Sequence, residues 1–357
     1  MEAKADMKME SAYSLTPEEI AAAVESCGDK PWRATQVCQW LYGGLAERWD
    51  AMTNVPAALR QAMAGRLRDL DGTARVREVA AEGGATTKLL LGLHDGEMIE
   101  TVIIPARDRN TVCVSSQVGC AFRCAFCASG LHGVARSLSC GEIVAQVVRA
   151  AQRIGRRPDN VVFMGIGEPF ANYDAVLKAA RLMNDPRGLG IGARKITIST
   201  CGVVSGIERL AGEGTQFELS VSLHAPTQAL REKLMPVAAQ WSLDALMAAC
   251  RDYTARTNRI ITFEYTLVAG FNDRPEHARL LVALLRGLKC RVNLIPLNPV
   301  EEFAGEAPDP RDCEDFLAFL ERHGVNTTLR RSKGRGVNAS CGQLRGMRQS
   351  QGSGERS

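Results

Sequence analysis

From residue 111 onward the chain repeats one pattern: a short continuous apolar run, a polar or Gly/Pro loop, then an amphipathic segment. The apolar runs fall at 111–115, 160–164, 195–199, 217–223, 260–267, 291–295 and 326–330, with helical segments such as 140–154 and 275–288 between them. Continuous apolar strands that alternate with helices build parallel β/α folds, because helices cover both faces of the sheet. The repeats are too few for a closed eightfold barrel. The pattern therefore predicts an α/β fold with a partial, TIM-like (β/α)6 barrel over residues 111–345. The loops GIGEP (165–169), SLHAP (222–226) and PLNP (296–299) each follow the C-terminal end of a strand. Ligands in such folds bind at that edge.

Ahead of the barrel, Thr16-Pro17-Glu18-Glu19 is a helix start, with Thr as N-cap, Pro at the first helical position and an acid at the third. Helical periodicity over 33–42 and 56–67 completes a small helical unit at 14–75, read either as a packing appendage or as a clamp on the substrate. Apolar runs at 88–93 and 98–104 flank Asp95-Gly96, a hairpin signal, and make 76–110 a β-hairpin extension. Residues 1–13 and 346–357 are expected to be disordered.

The 357 residues suffice for one large domain and a smaller one. No apolar run approaches the ~18 residues of a membrane span, and the charged start MEAKADMKME lacks a signal peptide's apolar core. This reading places the chain in the cytoplasm, without a membrane partner. Thiols stay reduced there, so clustered cysteines mean metal or catalysis more often than disulfides. The cluster is VGCAFRCAFCASG, which spaces Cys120, Cys124 and Cys127 as C-x3-C-x2-C, with Cys113 upstream and Cys140 downstream. Structural zinc usually needs a second ligand pair, and none exists. A ferredoxin site needs four cysteines per cluster, and neither Cys113 nor Cys140 has the right offset. A [4Fe–4S] cluster on three thiolates remains, with one iron open to a ligand.

The C-x3-C-x2-C spacing, placed just after the first barrel strand and with Phe126 before its last cysteine, resembles the motif of radical S-adenosylmethionine (SAM) enzymes. Gly165, Gly167 and Glu168 end a buried strand, where glycine admits a ligand close to the backbone and Glu168 can hold an α-ammonium group. Residues 322–350 hold seven Lys/Arg and no Asp or Glu, a one-sign block that suits a polyanion such as nucleic acid.

More of the chain resembles one family, the RlmN/Cfr radical-SAM rRNA methyltransferases. The segments that carry the resemblance are PWRATQVCQWLY, DAMTNVP, IETVIIP, CVSSQVGCAFRCAFCASG, NVVFMGIGEP, ITISTCGV, SLHAP, NLIPLNP and NASCGQL, in family order. The resemblance implies methylation of C2 of an adenosine at the peptidyl-transferase centre of 23S rRNA, and of an adenosine beside the anticodon of some tRNAs. A Cfr-like C8 methyltransferase and a non-catalytic, metal-stapled RNA-binding protein are the alternatives. It further implies one [4Fe–4S] cluster on Cys120, Cys124 and Cys127, and two SAM per turnover. SAM contacts map to Gly167, Glu168, Ser199, Ser222, Leu223, His224 and Asn298. Cys341 maps to the methyl-carrying nucleophile, Cys113 to the thiol that resolves the Cys341–RNA adduct through a disulfide, and Glu100 to the base. The sequence adds to the last: strand alternation puts Glu100 on an apolar face with Met98, Val102 and Ile104, a setting that favours proton transfer. An electron donor such as flavodoxin or ferredoxin and a thiol reductant are implied as partners.

Overall fold

Thr16 caps the first helix, Pro17–Ser26, as its sequence predicts: its side chain accepts from Glu19 N–H, and the Glu19 carboxylate accepts from Thr16 N–H. The computed structural model describes residues 11–67, 70, 73–80, 86–330, 342–344 and 347–348. Helix 33–42 exists in two pieces, an α-helix at Arg33–Cys38 and a π-helical turn at Gln39–Gly43. A third helix spans Ala57–Arg66. The expectation of disorder through residue 13 is corrected: Ala12–Ser14 form a buried 3-10 turn, and Ser14 Oγ accepts from Gly141 N–H at 3.1 Å. The helical unit thus packs on the barrel helix Cys140–Ile154 and shares its apolar core.

The extension is larger than a hairpin. Strands β1 (Thr73–Ala80), β2 (Thr87–Leu93), β3 (Glu97–Ala106) and β4 (Arg109–Cys113) form an antiparallel run. β4 then pairs in parallel with β7 (Asn160–Phe163). β8 (Ile196–Thr200), β9 (Glu218–Ser222), β10 (Ile261–Leu267), β11 (Cys290–Pro296) and β12 (Thr327–Leu329) continue the parallel pairing. The extension and the barrel are therefore one open sheet, ordered β1-β2-β3-β4-β7-β8-β9-β10-β11-β12. Each parallel connection carries a helix, so the α/β fold is a partial, TIM-like barrel as the pattern predicted. A separate pair, β5 (Gln117–Gly119) with β6 (Val134–Ser137), brackets the cysteine loop. The 346–357 tail also departs from expectation: β13 (Met347–Arg348) pairs with Met98 and Glu97 of β3. No helix among the described residues is long and apolar enough to cross a membrane.

Two local rules fix the site's scaffold. The helix Cys140–Ile154 begins in a capping box of Ser139 and Glu142 and ends at Gly155 in the left-handed region, φ 79°. It covers the face of β3 that carries Ile99, Thr101 and Ile103, where its Gln146 Oε1 accepts from Thr101 Oγ1 at 2.9 Å. The opposite face of the same strands carries Lys88, Glu100, Val102 and Cys113, because Lys88 opposes Val102 and Val102 opposes Cys113.

Candidate active site

In β8, β9 and β10 the alternation is strict. Ile196, Ile198, Leu219, Val221, Ile261, Phe263 and Tyr265 join the core under the helices. Ser199, Ser222, Glu264 and Thr266 instead line a cavity at the strands' C-terminal ends. The cavity encloses about 920 Å³ including its mouth and the solvent in it. Cys120, Cys124 and Cys127 line it together with Gly167, Glu168, His224 and Asn298. Of the expected SAM contacts only Leu223 is absent from the lining, and its N–H donates to Glu264 O at 3.0 Å.

The cysteine loop is held by its backbone. Cys120 N–H donates to Gly133 O at 2.9 Å, Ala125 N–H to Leu234 O at 2.8 Å, and Ala128 N–H to Gly342 O at 2.7 Å. Burial raises the thiol pKa of Cys124 well above its usual range and pushes that of Cys120 up to about 12. Thiols so desolvated lose their protons only to a cationic partner such as metal. Among the described residues no three His, Cys, Asp or Glu groups close around a single metal ion. The three thiols face one cavity instead, an arrangement that suits a polynuclear cluster. Arg231, a fully buried guanidinium whose charge acts on Cys124, has Nε and Nη1 without hydrogen-bond partners, so an anion held by the cysteine loop would offset it. The residues present therefore fit an anionic iron–sulfur cluster.

Glu168 is buried at the end of the β7 loop. Its two carboxylate oxygens accept from Phe170 N–H at 3.0 Å and Cys201 N–H at 2.7 Å. Burial is the main reason its pKa is raised, against the pull of those donors. Gly167 has φ 99°, and a Cβ there would lie 2.5 Å from Gln117 Cβ, so the turn that presents Glu168 requires glycine.

His224 sits at φ 55°, uncommon for a residue with a side chain. Its Nδ1 accepts from Thr266 N–H at 2.9 Å, which places the ring proton on Nε2. Burial, and then the charge of Arg231, lower its pKa to about 3. Folded His224 thus stays neutral where an unfolded histidine takes up a proton, below about pH 6.5. The unfolded state binds more protons between those values, so this stability is fully present above pH ~6.5 and is lost as pH falls toward 3. His224→Asn keeps an acceptor for Thr266 N–H and tolerates left-handed φ. Urea unfolding of the cluster-free protein should show about 2 kcal/mol less pH dependence between pH 7 and 5 in the variant. Equal pH dependence would mean that His224 is protonated in the fold.

Glu100 is buried and its Oε1 lies 2.7 Å from Lys88 Nζ. Cys113, on the same sheet face, joins a small apolar cluster with Val102, Ile166 and Leu344. Cys341 lies outside the described residues. Its covalent neighbour Gly342 lines the cavity, and Ser129 Oγ donates to Leu344 O at 2.8 Å. Sequence reasoning missed two cavity residues. Glu264 accepts from Ser220 Oγ at 3.1 Å and Asn293 Nδ2 at 2.9 Å, and an acid inside an otherwise buried strand was the available signal. Cys201, a fourth thiol in the lining, had no such signal. Arg330, read as part of the RNA-facing basic block, reaches inward to Glu264 Oε2 at 3.5 Å; Arg331, Lys333, Arg335 and Arg345 lie outside the described residues.

Comparison with known proteins agrees with this site. The Radical SAM superfamily model matches residues 114–282, and the model of the ribosomal RNA large subunit methyltransferase N-terminal domain matches residues 13–68. The chain is 46% identical over 342 residues to the "Probable dual-specificity RNA methyltransferase RlmN" of Geobacillus thermodenitrificans, covering 95% of this chain and 93% of that one. It is 49% identical to the protein of the same description from Thermosynechococcus vestitus, over 92% of this chain and 96% of that one. The crystal structure of a radical SAM methyltransferase from Sphaerobacter thermophilus superposes with TM-score 0.91 at 45% identity, covering 94% of this chain and 99% of that one.

Proposed function

Because the chain belongs to the RlmN family of radical SAM RNA methyltransferases, we propose that it methylates C2 of an adenosine in 23S rRNA, and of an adenosine beside the anticodon in some tRNAs. What supports the reading is one juxtaposition. Gly342 borders the cavity that holds the three motif thiols, and Leu344, two residues on, clusters with Cys113 on the sheet face that also carries Glu100. Residues 342–344 therefore run from the cavity lined by the motif thiols to the side chain of Cys113.

When bound to Cys120, Cys124 and Cys127, the cluster and two SAM molecules supply a methyl group and, by one-electron cleavage, a carbon-centred radical. An electron donor such as flavodoxin or ferredoxin supplies that electron. Glu168, which lines the cavity, and Asn298 hold SAM's polar groups, with Ser199, Ser222 and the Nε2–H of neutral His224 as further contacts. Gly167 lets the ligand approach the backbone. Cys341 sulfur accepts the methyl and carries its carbon to the adenine. Glu100 takes the ring proton, with Lys88 paired to its carboxylate. Once the adduct has given up its unpaired electron to a one-electron acceptor, the Cys113 thiolate attacks Cys341 sulfur; the carbon–sulfur bond breaks with its electron pair on the methylene carbon, which takes up a proton to become the methyl group, and a thiol reductant cleaves the disulfide that results.

The test is nucleoside mass spectrometry of rRNA and tRNA from a strain lacking the gene, before and after its restoration. Restoration should bring back 2-methyladenosine in both RNA classes. 8-Methyladenosine in its place would make the chain Cfr-like, and neither product would overturn the reading.

A further inference from the structure

Arg231 lies in the short helix Gln228–Leu234 and is wholly buried. Its Nη2 donates to Cys201 O at 2.6 Å and to Ser222 O at 3.3 Å, so it ties the C-terminal end of β8 to that of β9. Nε and Nη1 meet no hydrogen-bond partner. The seat is built for this side chain: Gly202 stands at φ 105°, and a Cβ there would lie 2.8 Å from Nη2. The same helix ends at Leu234, whose carbonyl accepts from Ala125 N–H, inside the cysteine loop. A guanidinium cannot shed its charge, and an unpaired buried charge strongly opposes folding unless an anion offsets it. Backbone carbonyls carry no net charge. The groups within electrostatic reach are Cys124, Cys201, Cys250 and His224. None of these four is an acid in its resting form, the nearby Glu168 carboxylate is engaged by Phe170 N–H and Cys201 N–H, and only Cys124 belongs to the motif that becomes thiolate on taking up iron.

We propose that Arg231 is a positioning residue whose buried charge is the counter-charge of the cluster held by Cys120, Cys124 and Cys127, and that it makes that cluster easier to reduce. The inference rests on the reading of those three thiols as cluster ligands. Reduction adds one electron, from the donor protein or a chemical reductant, to a group that is already anionic with three thiolates. No proton or bond change accompanies it, so a fixed cation nearby stabilises the reduced form more than the oxidised one. A unit charge about 10 Å away in an effective dielectric near 20 changes such an equilibrium roughly tenfold.

The test compares Arg231→Gln with Arg231→Lys. Each keeps a donor for the two carbonyls, and only Lys keeps the charge. Iron content of the reconstituted proteins is measured first, without RNA. Four irons in wild type are expected; their absence would overturn the cluster reading itself, separately from Arg231. The reduction equilibrium is then followed by EPR during titration with titanium(III) citrate, a readout that strand positioning alone would not move. Arg231→Gln should be reduced about tenfold less favourably than wild type, and Arg231→Lys within about threefold of it. Equal shifts in the two variants, or none in Arg231→Gln, would overturn the proposal. Should Arg231→Gln fail to fold or to take up iron, Arg231→Lys decides alone: a cluster retained at near wild-type equilibrium supports the counter-charge, and its loss or a tenfold shift removes it.

Discussion

Cys113→Ala protein that carries its cluster, given SAM, a reductant and target RNA, should appear on a denaturing gel as a retarded band that nuclease removes. The expectation follows from where the sulfur sits and what it is needed for. Cys113 ends β4, is 7% exposed, and packs with Val102, Ile166 and Leu344, away from the lining of the thiol cavity. Its loss therefore leaves the cysteine loop, its backbone bonds and the SAM contacts in place. Trimming one buried sulfur costs on the order of 1 kcal/mol, too little to unfold the sheet. On the proposed mechanism, methyl uptake by Cys341 and attack on adenine do not need Cys113, whereas release does, because the carbon–sulfur bond to Cys341 would break only when another sulfur takes its place. Turnover should fall by at least about 10³-fold while iron content stays at the wild-type level. The double variant Cys113→Ala with Cys341→Ala should give no band, since no sulfur is left to hold RNA. A single variant that is iron-replete, methylated at Cys341 and still free of adduct would make Cys113 a core residue of β4.

The parts of this machine that were legible in the sequence are those encoded by neighbours in the chain. The helix Cys140–Ile154 has its capping box at Ser139 and Glu142 and its stop at Gly155, so its predicted bounds match those observed. The barrel strands were predicted to within a few residues, because helices bury their outer face and the barrel interior encloses the other. β1 was missed for the opposite reason: half of TARVREVA is polar, and it lies at the sheet's edge, where little apolar surface need be covered. The two pieces of helix 33–42 share one apolar period, which does not distinguish a π-turn from an α-turn. In the site, the C-x3-C-x2-C spacing and the strand-end loops gave the cavity away, since each is a local pattern. Arg231, Cys201 and Glu264 were not legible as a group. They come from three separate β/α units and meet Cys124 only through the order of the strands. Arg330 shows the limit from the other side. Its neighbours in sequence are basic, and that context suggested a solvent-facing phosphate contact. Just past β12 its guanidinium also lies 3.5 Å from Glu264 Oε2, with 40% of the side chain still exposed, so one residue faces both the cavity acid and solvent.

The fourth thiol in the cavity separates motif from proximity as the determinant of cluster binding. Cys124 and Cys201 both line the cavity, and both are desolvated enough to hold their protons tightly. Their surroundings differ. The Glu168 carboxylate disfavours both thiolates and the Arg231 charge acts on both, but only the Cys201 thiol is also hydrogen-bonded to Glu168. Cys124 also stands in a loop whose backbone is tied on both sides, at Ala125 and Ala128, so its sulfur is presented with Cys120 and Cys127 as a unit. Cys201 belongs to the β8 end, where its N–H is committed to Glu168 and its carbonyl to Arg231. Cys124→Ala should therefore lose the cluster outright, with iron near background after anaerobic reconstitution, no absorbance near the cluster's brown band and no SAM cleavage. A three-thiolate site has no spare ligand, and Cys201 is not positioned to replace the one removed. Cys201→Ser should keep the wild-type iron content and cleave SAM within about threefold of the wild-type rate, because the substitution leaves both backbone bonds in place. A Cys124→Ala protein that retains its iron, or a Cys201→Ser protein that loses it, would move a ligand from the cysteine loop to β8 and end the three-thiolate assignment.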